Sequence, residues 1–77
     1  MTLYEYSLLE RDVQAIIVWQ DGRFITYRDM GKVKILLYNL HQFYVEVYYN
    51  NADNTIIKFN PFTSKERLQL YFKANLN

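Results

Sequence analysis

Seven residues constrain this chain more than any others: Phe43-Tyr-Val-Glu-Val-Tyr-Tyr49. In an extended backbone Phe43, Val45, Val47 and Tyr49 fall on one side, and Tyr44, Glu46 and Tyr48 fall on the other. A period of two, filled by aromatic and β-branched residues, specifies a strand. One strand cannot bury its apolar side alone, and the flanking sequence supplies its neighbours. Residues 33–40 read as a strand before it, residues 55–59 as a strand after it, and residues 23–28 as a further strand upstream. In that last segment Ile25 and Tyr27 should lie opposite Phe24, Thr26 and Arg28. The breaks between strands are short and polar: Asp29-Met-Gly-Lys32, residues 39–42 and the Asn50-Asn-Ala-Asp-Asn54 loop. Such connections are too short for a crossover, so the four strands form an antiparallel meander. Gly31 is placed where a turn can require positive φ.

The remaining sequence reads as helix. Thr2 can cap a short helix from Leu3, with Glu5 in its first turn. Residues 10–20 follow with Val13, Ile16, Ile17 and Gln20 on one face, widened by Ala15, Val18 and Trp19. Glu10 and Asp12 occupy the first turn, and Gly22 is expected as a left-handed C-terminal residue. The β-branched run Ile16-Ile17-Val18 makes a strand over 15–19 the competing reading; helix is preferred because the spacing of three and four extends back to Val13. Pro61, lacking an N–H, is expected to stop the last strand. Thr63-Ser-Lys-Glu66 fits a capping box, with Thr63 as the N-cap. The helix after it would gather Leu68, Tyr71, Phe72 and Leu76 on one side and leave Lys65, Arg67 and Lys73 in water. The expected fold is α+β, a single domain over 1–77: a four-stranded antiparallel β-meander, two N-terminal helical segments and one C-terminal helix.

A chain of 77 residues buries only about 60–65% of its unfolded surface, so its core is thin. It has no cysteine, which removes disulfides and thiolate metal sites as reinforcement and fits a reducing cytoplasm. The aromatic fraction of 18% supplies bulk instead, and pairing with a second copy is another route to buried area. Net charge is +1, divided as −3 over residues 1–22, +2 over 23–62 and +2 over 63–77. That balance argues against generic binding to nucleic acid or anionic membrane. The longest purely apolar run, 15–19, is far short of a membrane span, and no targeting segment is visible.

No motif carries chemistry. His41 is the single histidine and lies in an expected turn, so a metal site lacks partners for it. The 50–55 loop is rich in oxygen but has one carboxylate, Asp53, and lacks the calcium-loop spacing. Ser7 and Ser64 sit at capping positions without a nucleophile context. Gly22 and Gly31 are too far apart to cradle a phosphate. Glu10 and Asp12 have the positions that acids take at a helix start. The expectation is a chain without catalytic, cofactor or metal sites.

What remains is surface. If helices cover the side carrying Ile25, Val33, Ile35, Leu37, Val45, Val47, Ile57 and Phe59, the second side is not cleanly polar. It would carry Phe24, Leu36, Tyr38, Leu40, Tyr44, Tyr48 and Ile56 beside Arg28, Lys34, Glu46 and Lys58. Either helices wrap both faces, or part of the second face meets a partner. Tyr38, Tyr44, Glu46, Tyr48, Lys34 and Lys58 are therefore the candidate interaction surface. The leading reading is a non-enzymatic, self-associating module, a homodimer, working through this aromatic surface or an edge strand. The alternative is single-stranded nucleic acid, with Tyr38, Tyr44 and Tyr48 stacking bases while Arg28, Lys34 and Lys58 meet phosphates. Near-neutral charge and Glu46 within the patch weigh against it. Thr2-Leu-Tyr-Glu-Tyr6, residues 15–22 and Phe43-Tyr-Val-Glu-Val-Tyr-Tyr-Asn50 together resemble a group of short uncharacterised bacterial proteins. That resemblance implies a bacterial cytoplasmic setting and transfers no site residue.

Overall fold

The computed structural model describes residues 1–72. Helices α1 (Leu3–Ser7) and α2 (Arg11–Asp21) precede strands β1 (Arg23–Asp29), β2 (Val33–Leu40), β3 (Phe43–Asn50) and β4 (Thr55–Phe62); helix α3 (Lys65–Leu68) runs into a 3₁₀ turn, Gln69–Tyr71. The strands form one antiparallel sheet in the order β1-β2-β3-β4, the expected α+β meander.

Register decides which side chains share a face. His41 and Gln42 alone connect β2 to β3, so Leu40 stands opposite Phe43. The left-handed φ of +65° at His41 serves this tight turn. Alternation from that pair puts Tyr38 beside Val45 and Leu36 beside Val47, while Leu37 meets Glu46 and Ile35 meets Tyr48. The expected grouping of Ile35 and Leu37 with Val45 and Val47 is therefore wrong by one residue, which flips a whole strand. Two bulges shift the outer strands as well. Ile25 is the extra residue in β1, so Phe24 and Tyr27 share a face instead of opposing each other. Ile57 is the extra residue in β4, which leaves Ile56 and Phe59 together.

The first face carries the main core. Phe43, Val45, Val47, Leu40 and Phe59 pack against Tyr6 of α1 and Val18 of α2. Burying each of these strand side chains contributes about 1.5–3 kcal/mol. The buried stripe of α2 is Gln14 and Val18, whereas Ile16 is 53% exposed. The helix is thus turned by roughly a third of a turn from the expected Val13–Ile16–Ile17–Gln20 face. A hydrogen-bonded amide causes this: Gln14 Nε2 donates to the Tyr6 carbonyl at 2.9 Å, and Tyr6 Oη donates to the Gln14 carbonyl at 2.9 Å. The pair fixes α1 on α2, and burial pushes the Tyr6 hydroxyl pKa well above its ordinary value.

Boundaries correct three further expectations. Gly22 caps α2 in an extended conformation, φ −78°, rather than a left-handed one; a Cβ there would lie 2.6 Å from the Val18 carbonyl oxygen. Gly31 does take positive φ, +81°. β4 continues through Pro61 to Phe62, because the proline stands opposite Val45 on an edge strand whose outer N–H has no ladder partner to lose. Ser64, not Thr63, caps α3, accepting from the Arg67 N–H. Thr2 caps α1 through a reciprocal box with Glu5. Lys73 and Leu76 lie outside the described residues.

Removing the Tyr6 hydroxyl tests the α1–α2 bond. Tyr6→Phe should lower unfolding free energy by about 1 kcal/mol, and Tyr6→Ala by about 3–5 kcal/mol, measured by urea unfolding.

Candidate interaction surface

The second face is closed over a charge. Glu46 has no solvent exposure, an arrangement tolerated only when the carboxylate is fully partnered. Oε1 accepts from Arg67 Nε at 2.8 Å, Asn60 Nδ2 at 2.8 Å and Tyr48 Oη at 3.3 Å; Oε2 accepts from Tyr71 Oη at 2.6 Å. Arg67 Nη2 also donates to Tyr48 Oη at 3.1 Å. β4 supplies Asn60, one residue beyond the core Phe59, while α3 and its 3₁₀ turn supply Arg67 and Tyr71 four positions apart, on one side of the segment. Burial pushes the Glu46 carboxyl pKa up, but hydrogen bonds from Tyr71, Arg67 and Asn60, with the Arg67 charge, leave it below the usual glutamate range. Hydrogen bonding to Glu46 holds Arg67 higher than usual, and burial followed by the Glu46 bond does the same for Tyr71.

Packing completes the closure. The Arg28 guanidinium lies 5.3 Å from the Tyr71 ring centre and that of Arg67 5.9 Å from Phe62. Tyr44 stacks on Phe62 with ring centres 5.5 Å apart, and Lys58 Nζ sits 4.6 Å from the Tyr48 ring centre. Arg67, expected in water, is instead the principal partner of Glu46. The sequence reading missed it because its acid lies 21 residues away.

The six residues expected to form one surface are divided between the two faces. Tyr44, Glu46, Tyr48 and Lys58 belong to the closed face, where ring surfaces and polar groups are already engaged. Lys34 and Tyr38 belong to the first face, with Lys34 Nζ 5.0 Å from the Tyr27 ring centre. The base-stacking arrangement of Tyr38 with Tyr44 and Tyr48 is thereby split.

The first face has an open shoulder. α1 and α2 pack on β2, β3 and β4, while Phe24 and Tyr27 of β1 stay largely exposed on this face. Trp19 packs edge-on to Tyr38 at 5.7 Å and to Phe59 at 6.3 Å, and Phe24 meets Tyr38 at 5.6 Å. Trp19 is nevertheless 46% exposed, Phe24 51% and Tyr27 52%. Trp19, Phe24 and Tyr27 were not among the expected surface residues. A surplus of apolar positions on α2 was the available signal for Trp19; the bulge that groups Phe24 with Tyr27 leaves no mark in composition.

Other candidate chemistry is sparse. His41 and Asp21 border a small cavity of about 190 Å³ with Met1, Ile17, Leu40 and Phe43. Among the described residues no group of three or more His, Cys, Asp or Glu is arranged to hold a metal ion, and no helix is long and apolar enough to cross a membrane. No protein-family model, no curated protein and no solved structure matches the chain.

Glu46→Gln keeps the shape but loses the charge facing Arg67, and should cost about 1–3 kcal/mol. A carboxyl with a depressed pKa stabilises fully above its unfolded value of about 4.3, and that stabilisation disappears as pH falls through the lower folded value. The gap between wild type and Glu46→Gln in chemical unfolding should therefore narrow as pH drops from neutral to about 3.

Proposed function

We propose that this chain is a non-enzymatic protein-interaction module that self-associates through the open aromatic shoulder of its sheet. Exposed Trp19 and Phe24, joined through half-buried Tyr38 and continued by exposed Tyr27 on β1, carry this reading. Large aromatic side chains bury much area at little entropic cost and anchor protein interfaces. Folding accounts for the closed face, where Glu46 meets Arg67 and Tyr71, but it does not use the outer halves of Trp19, Phe24 and Tyr27. Lys34, held beside Tyr27, gives the shoulder a polar edge of the kind interfaces carry. The setting in this proposal is the reducing cytoplasm, suggested by the cysteine-free sequence.

Trp19 is the one tryptophan and reports directly. Its emission should shift to the blue as protein concentration rises through the micromolar range, in step with a doubling of mass by light scattering. Phe24→Ser with Tyr27→Ser should abolish both changes while leaving far-UV dichroism intact. A mass that stays monomeric at high concentration, with unshifted emission, contradicts the proposal.

A further inference from the structure

The two sheet edges differ, and the difference selects a seam. β4 is blunted: Pro61 has no N–H, Ile57 forms a bulge, and Arg11 Nη1 donates to the carbonyls of Ile56 and Ile57 at 3.2 and 2.8 Å. These devices keep a second strand from adding to an edge. β1 has a bulge at Ile25 only, and its last four residues, Thr26 to Asp29, pair regularly with β2. The bond from Met30 N–H to the Val33 carbonyl, 2.8 Å, closes the β1–β2 turn. Alternation from it turns the N–H and C=O of Arg28 and Thr26 toward β2, and those of Tyr27 and Asp29 away from it. Counting from the two-residue β2–β3 turn gives the same parity. By this parity the main-chain groups of Tyr27 lie outside the β1–β2 ladder, and among the described residues no turn, loop, cap or side-chain hydrogen bond reaches them.

Resting on the self-association reading, we infer that a second copy of this chain adds its β1 antiparallel to this β1, with Tyr27 opposite Tyr27 across a two-fold axis. The alternatives are poorer on stated grounds. Centring on Arg28 or Asp29 sets like charges directly opposite one another, which is destabilising. Centring on Thr26 sets Phe24 against Arg28, and the bulge has put those two on different faces of the sheet. The Tyr27 register pairs outward-facing main-chain groups with outward-facing ones and joins the two sheets into eight continuous strands. It also joins the two Phe24–Tyr27 shoulders on one side. A near-neutral chain of net charge +1 sets little repulsion against this pairing.

The test combines a strand variant with a cross-link. Tyr27→Pro deletes an N–H that points away from β2, so the internal ladder survives; unchanged far-UV dichroism checks this. Loss of the two symmetric bonds should raise the dimer dissociation constant roughly tenfold or more by sedimentation equilibrium. The wild-type chain has no cysteine, so introduced thiols are the only ones present. Thr26 and Arg28 of facing copies become directly opposed neighbours in this register, and an oxidised mixture of Thr26→Cys and Arg28→Cys should give chiefly the mixed disulfide. A wild-type dimer with unchanged affinity in folded Tyr27→Pro and no mixed disulfide overturns the β1 seam, while self-association stands. A wild-type chain that remains monomeric overturns both.

Discussion

The rest of the structure depends on the buried carboxylate of Glu46. An unpartnered charge at that position would cost more than a domain this small can spare. Its neighbours answer the cost in full: a guanidinium, an amide and two phenols converge on its two oxygens. Two of those groups, Arg67 and Tyr71, arrive on the C-terminal segment, so satisfying Glu46 and docking α3 are a single event. Ile35 and Leu37 are both buried on that same side of the sheet. The second face becomes a small mixed core in its own right.

Closure of that face determines what is left over. With α1 and α2 on one side of the sheet and α3 on the other, Trp19, Phe24 and Tyr27 are left about half exposed at β1 and the end of α2. A long apolar edge strand is an aggregation hazard unless something meets it. β4 carries a proline, a bulge and an arginine bound to its carbonyls, whereas β1 carries a bulge and the charged side chains of Arg23, Arg28 and Asp29, with its outer carbonyls uncapped. That asymmetry is what the proposed pairing of two copies explains.

Much of the fold was legible in the chain because strands and turns have local signatures. The 33–40 strand and the start at Phe43 follow from alternation, and Gly31 and the polar loop mark their turns. Four features lacked local signatures. The bulges at Ile25 and Ile57 add a residue without any compositional sign. The orientation of α2 depends on Gln14, a polar residue buried by a reciprocal bond to Tyr6 that an apolar pattern treats as solvent-facing. The helix cap moved by one residue because Thr63 and Ser64 are both competent N-caps. Glu46 read as a charge within an exposed patch, because its partners are distant in sequence and converge only after the sheet and α3 have formed. The candidate surface inherited these gaps: Lys34 and Tyr38 were placed on the same side as Tyr44, Glu46, Tyr48 and Lys58, whereas one correct register step separates them. The two-residue turn between Leu40 and Phe43 held the information that decides this.

The most direct test of this division into a closed face and an open one is an isotope-filtered NMR experiment on a mixture of labelled and unlabelled chain. Contacts between molecules should be confined to β1 and its shoulder: Tyr27 to Tyr27, with Phe24 and Trp19 beside them. Tyr44, Tyr48 and Tyr71 should show contacts only within their own molecule. Intermolecular contacts at Tyr44, Tyr48 or Lys58, with none at Tyr27, would contradict the account.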